Sequence, residues 1–305
     1  MKVAVTGATG VIGTSAVCAL VAAGHDVVAL ARTPEKADRV RALGATPVVT
    51  GLGDHDGLVG LFAGADAACN FATSIPVGYS GALPGAWRTN DRLRMDGVRR
   101  VVAAAREAGV RRIVQESISF LYADQGDAWV TEASPLDITP ATEPATVAEA
   151  QVQEYRCDSR TGVVLRFGLI VGDDPMTRWQ LRSAARGRPI GLGHPEGWLH
   201  PVHTDDLGPA VVAALTAPSG VYNVGAEPVQ RGDYVAAYAH VVGRDAVGFL
   251  GPVLSKLAGA RAEPLTRSLR VSSDHFTAST GWTPQHGKFD STWFDAVTSH
   301  RSAVR

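Results

Sequence analysis

Residues 5–13 of this chain read Val-Thr-Gly-Ala-Thr-Gly-Val-Ile-Gly, and this stretch decides the expected fold. An apolar run precedes it and an apolar helical stretch follows, so Gly7, Gly10 and Gly13 lie at a strand-to-helix turn. In such a turn the first glycine permits the tight bend, the second lets a diphosphate approach the backbone, and the third lets the helix pack on the strand. A second apolar run, Val27–Leu30, ends at the spacing typical of a dinucleotide-binding unit.

Arg32 bears on which dinucleotide is bound. At the end of the second strand an acidic residue binds the ribose hydroxyls of NAD, whereas an arginine accommodates the 2′-phosphate of NADP. No Asp or Glu occupies positions 27–34, and Thr33-Pro34-Glu35 instead reads as the N-cap, first-turn proline and first-turn acid of the next helix. The sequence therefore favours NADP, and a solvated surface charge is the alternative interpretation of Arg32.

Composition limits the classes of function. The 305 residues are 45% hydrophobic and 19% charged, with a formal net charge of −1, as in an ordinary globular enzyme. The charged residues are scattered, and the sequence has no basic cluster of the kind that binds nucleic acid or an anionic membrane. No apolar run is long enough to span a membrane. Three distant cysteines cannot form a disulfide framework or a CxxC metal site. We expect a cytoplasmic protein whose partner is a small molecule, with no metal.

The order of apolar runs and helical patterns predicts the architecture. Strands and helices alternate at short spacing as far as Glu116, which is typical of a doubly wound parallel sheet with helices on both faces. We expect a Rossmann-type α/β fold with a smaller C-terminal substrate lobe. The dinucleotide-binding domain is expected over residues 1–172, with 201–224 returning to it, and the lobe over 173–200 and 225–305.

Local signals predict where helices and loops end. Gly24, Gly44, Gly64 and Gly109 each follow a helical pattern where a C′ glycine is expected. One long helix is predicted from about Ala86 to Ala108. The helical and strand periods then fail from Ser117 to Pro144, which predicts a long loop at the carboxyl edge of the sheet.

Short motifs along the chain occur in an order shared with one protein family. They are Thr6–Gly13, Gly53-Asp54, Asn70-Phe71-Ala72, Arg112-Ile113-Val114, Leu165–Gly168, His203–Leu207, Tyr222–Gly225 and Gly281–Pro284. With these motifs the chain resembles the extended short-chain dehydrogenases/reductases, the group that contains nucleotide-sugar epimerases and dehydratases. The resemblance implies a cofactor site with the pyrophosphate at Gly7, Thr9, Gly10, Val11 and Ile12, the adenosine ribose at Arg32, adenine near Asp54, the inner ribose at Ala72 and the nicotinamide near Gly168 and Leu169.

The family's proton-transfer pair is missing from this chain. In the family a tyrosine moves the proton that accompanies hydride transfer, and a lysine four residues later lowers the pKa of that tyrosine. Residues 139–153, where the pair should fall, contain neither residue type. When the family motif is aligned on Glu154, Thr146 takes the position of the tyrosine and Ala150 that of the lysine. When it is aligned on Glu149, these positions are taken by Ala141 and Ala145. The four lysines are all far from this helix in sequence: Lys2, Lys36, Lys256 and Lys288.

The end of the strand that begins at Arg112 carries other candidate catalytic residues. Tyr122 resembles a tyrosine that follows this strand in the family, and counting back from it places the family's catalytic serine position at Ile118. Ser117 and Ser119 lie on either side of Ile118, and a local bend of the backbone would be needed to bring one of their side chains to that position. We predict Ser117 and Tyr122 as the catalytic pair, because they leave the strand end that faces the nicotinamide in this fold. Further candidates for a proton donor or base are Glu116, Ser119, Tyr79, Glu143, His194 and His200. The segment from His203 to Asp206 admits a structural interpretation in which Asp205 caps the next helix.

Three functions fit these observations. They are NADPH-dependent reduction of a small carbonyl compound with an unusual proton donor, a non-redox lyase, isomerase or cyclase reaction in the same pocket, and NADP binding for regulation without chemistry. Trp87, Trp129, Trp179 and Trp198 favour an apolar or aromatic ligand, unless they pack the two lobes together. We expect an atypical reductase, and the resemblance also makes a homodimer through long helices an expectation.

Overall fold

The computed structural model describes residues 1–251 and 261–302, which contain thirteen strands and eleven α-helices. Strands β1 to β13 span Lys2–Thr6, Asp26–Ala31, Thr46–Val49, Ala67–Asn70, Arg112–Ile118, Trp129–Val130, Thr161–Phe167, Leu169–Val171, Trp198–Leu199, Pro201–His203, Gly220–Val224, Val229–Gln230 and Arg270–Val271. Helices α1 to α9 span Val11–Ala22, Pro34–Ala42, His55–Phe62, Arg88–Arg92, Val98–Glu107, Glu143–Tyr155, Pro175–Ala185, Thr204–Ala214 and Arg231–Val241, and two further helices span Asp274–Thr280 and Asp295–Ser302.

The main sheet confirms the predicted fold class. Its seven strands run in the order β11-β7-β5-β4-β1-β2-β3, and every neighbouring pair is parallel. Alternate residues of β1 belong to two different apolar cores. Val3 and Val5 pack on the face of the sheet covered by α1 and α8, whereas Ala4 packs on the face covered by α3, α5 and α6. Both faces are buried, which is why these strands read as nearly continuous apolar runs.

The predicted helix ends are confirmed. Gly24, Gly44, Gly64 and Gly109 have φ values of +80°, +86°, +68° and +73°, a backbone region that glycine adopts without steric cost. Helix α2 begins as expected, because the Thr33 side chain accepts a hydrogen bond from the Lys36 amide and Pro34 occupies the first turn. Within 1–251 and 261–302, no helix has the length and apolar character required to cross a bilayer.

The long helix expected from Ala86 to Ala108 is interrupted. Helix α4 passes into a single wide π-type turn at Leu93–Gly97 before α5 begins. Such turns break the regular helical period and are frequent near functional sites. Here the turn carries Arg94, whose guanidinium is buried against the carboxylate of Glu116 on β5. The period of the sequence gave no sign of this interruption, because one wider turn leaves the surrounding apolar spacing almost unchanged.

A third apolar core lies among residues assigned to the smaller lobe. It includes Leu181 of α7, Tyr234 and Tyr238 of α9, and Phe294. Phe276 and Trp282, which also fall within the predicted lobe at 225–305, pack instead in the core of the main sheet. Residues 252–260 and 303–305 of the predicted lobe, with Lys256, lie outside the described residues.

Candidate cofactor and substrate site

The glycine turn has the geometry of an anion cradle. Gly7 has φ +73°, and a Cβ added to it would lie 2.6 Å from the amide nitrogen of Ala72. A Cβ on Gly13 would lie 2.7 Å from the Cα of Ala8, so the third glycine is required for close packing of α1 on the turn. Helix α1 begins after Gly10 without a side-chain cap, which leaves the amides of its first turn available to a ligand. The binding roles of Thr9, Val11 and Ile12 at this turn stay predictions.

Three basic side chains gather beside the glycine turn. Arg32 follows β2 and is exposed to solvent. Arg39 of α2 reaches the turn itself, since its Nη2 donates a hydrogen bond to the Thr9 carbonyl at 3.4 Å. The pKa of Lys36 is lowered, first by partial burial and then by the positive charges of Arg32 and Arg39. Arg39 was missed in the sequence, although its spacing of three residues from Lys36 places both on one face of a helix.

Asp54 and Ala72 border the same edge of the sheet. Asp54 is the N-cap of α3: its carboxylate accepts hydrogen bonds from the Gly57 amide at 3.0 Å and from the Thr50 hydroxyl at 2.8 Å. The Gly57 hydrogen bond is the main reason that the pKa of Asp54 is lowered. Ala72 donates from its amide to the Asn70 side chain at 3.4 Å and lies next to Gly7. The predicted contacts of Asp54 and Ala72 with the cofactor stay predictions.

His200 lies against the segment predicted to meet the nicotinamide. The amide of Leu169 donates to the His200 carbonyl at 2.7 Å, and the imidazole fits between two glycines because a Cβ on Gly168 or Gly225 would lie within 3.0 Å of it. Burial lowers the pKa of His200 to about 3. The imidazole is therefore neutral near pH 7 and is a poor proton donor. His194, the other histidine candidate, is exposed and paired with Glu196.

Ser117 and Tyr122 are linked through one buried chain of hydrogen bonds. The Ser117 hydroxyl donates to Glu149 of α6 at 2.5 Å, and Arg166 of β7 forms a bidentate pair with the same carboxylate at 2.9 and 2.7 Å. Arg166 also donates to the Tyr122 hydroxyl at 2.9 Å, and that hydroxyl donates to Asn223 at 2.8 Å. Ser117 and Tyr122 are both fully buried, and burial raises the pKa of Tyr122.

These contacts give both residues a structural role at the end of β5. The local bend that could have presented a serine is not seen, because Ile118 is the partly exposed residue there while Ser117 and Ser119 are buried. A catalytic role for Ser117 and Tyr122 stays a prediction. The Glu149–Arg166 pair was missed, although a lone acid on the apolar face of a predicted helix and a lone arginine in an apolar strand were available as signals.

Glu116 is also held within the protein. Its Oε1 lies 2.5 Å from Nη2 of Arg94, and both side chains are less than 5% exposed. Each partner keeps one buried polar atom without a hydrogen bond, Oε2 of Glu116 and Nη1 of Arg94. The sequence indicated Glu116 as a candidate base but not its partner Arg94, which lies in the π-type turn.

The loop after β4 carries an exposed apolar surface. Ile75, Tyr79 and Leu83 are 49%, 49% and 63% exposed. The Tyr79 ring stands edge-on to Trp179 of α7, with ring centroids 5.0 Å apart. Of the other three candidate tryptophans, Trp87 makes a local contact, since its indole nitrogen donates to the Gly81 carbonyl. Trp129 and Trp198 both contact a residue distant in sequence, because Arg270 lies over their rings. These contacts support the interpretation in which the tryptophans pack loops and lobes together.

The His203 segment has the structural character that was expected, with one correction. The cap of α8 is His203, whose Nδ1 accepts from the Asp205 amide at 3.3 Å, and not Asp205 itself. Asp206 is buried and accepts from the amides of Gln285 and His286 at 2.7 and 3.1 Å. It therefore fastens the C-terminal segment to the start of α8.

The sequence and the fold are similar to those of known proteins. The NAD(P)H-binding family profile matches residues 7–187. A 3-diazoavenalumate denitrifying reductase of a Streptomyces species is 32% identical over 94% of this chain and 97% of its own length. A 4-hydroxy-2-methyl-3-oxo-4-farnesyl-3,4-dihydroquinoline-1-oxide ketoreductase of Stigmatella aurantiaca is 36% identical over 61% of this chain and 55% of its own length. A human epimerase family protein solved with NADPH has the same fold, with a TM-score of 0.80, 22% identity and coverage of 98% of this chain and 99% of that one.

Proposed function

This chain belongs to the NAD(P)H-binding family, and on that premise we propose that it is an NADP-dependent reductase of a small apolar or aromatic carbonyl compound. The observation that carries the proposal is the uncapped start of α1 behind Gly7 and Gly10, where open amides can hold a pyrophosphate. The names of the two curated relatives, a denitrifying reductase and a ketoreductase, support oxidoreductase chemistry in this pocket. Gly168 and Leu169 would then flank the nicotinamide that donates the hydride.

The preference for NADP rests on charge at the end of β2. Arg32, Lys36 and Arg39 together provide a site for a dianionic phosphate, and positions 27–34 hold no carboxylate that would repel it. Charge-assisted hydrogen bonds of arginine to phosphate are stronger than neutral ones. These three basic side chains therefore favour binding of the 2′-phosphate of NADP and contribute little binding energy to the ribose of NAD.

Arg32→Ala tests this preference. We expect NADPH affinity to fall by about 1.5–3 kcal/mol, the range for a hydrogen bond to a charged group, while NADH affinity changes little. Isothermal titration of the purified protein with each cofactor measures both values. Arg41→Ala in the following helix α2 is the control, because Arg41 pairs with Asp38 in solvent. Equal weakening of NADPH and NADH in Arg32→Ala would remove the argument for NADP.

An apolar or aromatic substrate is favoured by the loop after β4. Ile75, Tyr79 and Leu83 are each about half exposed or more, and the loop that carries them follows Ala72, the proposed inner ribose site. A nucleotide sugar would require several polar and charged contacts instead.

A second candidate is reductive removal of nitrogen from a diazo compound. It is favoured by the denitrifying reductase, which matches nearly the whole chain, and by the missing Tyr–Lys pair. Cofactor absorbance measured with a panel of carbonyl and diazo compounds separates the two reductase functions. Substrate turnover without cofactor oxidation would indicate the non-redox lyase or isomerase alternative, and cofactor binding without turnover would indicate the regulatory one.

A further inference from the structure

Two buried ion pairs lie at the end of β5, and only one of them is completely hydrogen-bonded. In the Glu149–Arg166 pair both carboxylate oxygens accept hydrogen bonds, and the arginine donates to Glu149 and to Tyr122. In the Glu116–Arg94 pair, Oε2 of the glutamate and Nη1 of the arginine have no partner among the described residues, although both side chains are buried. Buried polar groups are rarely left unpaired, so these two atoms indicate a group that the chain itself does not supply.

The Glu116–Arg94 pair lies beside the segment predicted to meet the inner ribose of the cofactor. Asn90, about one helical turn before Arg94, accepts a hydrogen bond from the Ser74 amide at 3.2 Å, and Ser74 follows Ala72 by two residues. Arg94 also contacts Glu116 on β5, which is the parallel neighbour of β4, the strand that leads to Ala72. The pair therefore lies at the carboxyl ends of β4 and β5.

The strand order separates this pair from the adenosine end of the cofactor site. Strand β1 lies between β4 and β2, and Arg32, where the adenosine ribose is predicted, follows β2. A dinucleotide that extends from Arg32 across the glycine turn after β1 brings its inner half to the ends of β4 and β5. The two free atoms of the pair are therefore on the side of the site that receives the inner half of the cofactor.

A free donor beside a free acceptor suits a hydroxyl group, which accepts one hydrogen bond and donates another. The inner ribose of NADP carries two hydroxyls, and residues 139–153 offer neither tyrosine nor lysine to bind them. Resting on the proposed NADP-dependent function, we infer that Nη1 of Arg94 donates to a hydroxyl of the inner ribose and that Oε2 of Glu116 accepts from the same hydroxyl. Neither atom is exposed in the described arrangement, so the ribose reaches them with a shift of the side chains that enclose them.

Three ligands with the same adenosine end test this inference by isothermal titration. Adenosine 2′,5′-bisphosphate lacks the inner ribose, 2′-phospho-ADP-ribose has the inner ribose without nicotinamide, and NADPH has both. The double variant Arg94→Met with Glu116→Met removes both charges, so that neither is left buried alone. We expect its affinity for 2′-phospho-ADP-ribose and NADPH to fall at least about 10-fold, the lower end for a hydrogen bond to a charged group. Its affinity for the bisphosphate should not change.

Two controls separate ribose binding from a general loss of stability. The double variant Glu149→Met with Arg166→Met removes an equally buried ion pair whose oxygens are all hydrogen-bonded, so any weakening should be equal for the three ligands. A preferential loss of NADPH and 2′-phospho-ADP-ribose in this control would contradict the assignment to Arg94 and Glu116. Arg32→Ala should weaken all three ligands, because each carries the 2′-phosphate.

The outcomes separate this inference from the proposed function. Equal weakening of the three ligands by the Arg94 and Glu116 substitutions, or no weakening, would overturn the inference while leaving the reductase intact. Loss confined to NADPH would also overturn it, since the contact would then be to nicotinamide. No binding of any of the three ligands to the wild-type protein would instead overturn the proposed function.

Hydrogen–deuterium exchange of the wild-type protein decides the matter if the double variant does not fold. Peptides that cover residues 88–97 should exchange more slowly with saturating 2′-phospho-ADP-ribose than with saturating adenosine 2′,5′-bisphosphate, because only the former orders the Arg94 side chain. Equal protection by the two ligands would overturn the inference.

Discussion

The glycine turn after β1 and the end of β5 lie at the same edge of the sheet but are built in opposite ways. At the turn, side chains are missing and backbone amides are left open, so the protein offers hydrogen bonds to a ligand. At the end of β5, polar side chains are abundant but satisfy one another inside the protein. The first arrangement leaves hydrogen-bond donors open to a ligand, whereas the second uses its polar groups mostly in contacts within the protein. The two regions therefore differ in whether their hydrogen-bonding groups face a ligand or one another.

Breaking the buried chain at Glu149 should have the largest effect. Glu149→Ala leaves the Arg166 guanidinium buried without its carboxylate, and loss of one partner of a buried ion pair costs about 3–5 kcal/mol. Urea denaturation of the variant measures the free energy of unfolding. Asp38→Ala is the control, because the exposed Arg41–Asp38 pair should contribute no more than about 1 kcal/mol. If the two variants lose similar stability, the buried hydrogen bonds of Glu149 do not stabilise the end of β5.

Gly13→Ala tests whether the turn is held by close packing. The added methyl group would overlap the Gly7 carbonyl and the Ala8 Cα, and overpacking of this kind costs about 1–3 kcal/mol. Gly60→Ala in α3 is the matched control: nothing lies within 4 Å of the new Cβ, and replacing a helical glycine by alanine should stabilise by about 0.5–1 kcal/mol. Thermal unfolding and NADPH titration should show the Gly13 variant less stable and weaker in cofactor binding. Tolerance equal to that of Gly60→Ala would contradict the packing seen at the turn.

Tyr122→Phe should affect stability about as much as Gly13→Ala, and it decides between two roles of this tyrosine. Removing the hydroxyl leaves buried groups of Asn223 and Arg166 without a partner, which costs about 1–3 kcal/mol. The melting temperature and kcat are measured on the same preparation. A lowered melting temperature is the expected result. An unchanged melting temperature with a fall in kcat of about 10²–10⁴-fold would instead restore Tyr122 as the proton donor.

Prediction from sequence succeeded where the signal was local. The glycine turn, the cap of α2 and the C′ glycines each depend on a few consecutive residues, and each was found where expected. The π-type turn at Leu93–Gly97 was not predicted, because its residues are of the same types as those of an ordinary helix. Arg39 escaped because its partner, the Thr9 carbonyl, lies 30 residues away in the chain.

The sequence by itself determined the doubly wound sheet, the glycine turn and the absence of tyrosine and lysine from residues 139–153, because each is a matter of which residue type occupies which position along the chain. Only the tertiary structure decided that Ser117 and Tyr122 are joined through Glu149 and Arg166 and buried, and that Ile118 is partly exposed. Whether a polar side chain is free to act depends on the partners that folding brings to it. Those partners come from β5, α6, β7 and β11, which are distant in sequence and meet only in the folded sheet.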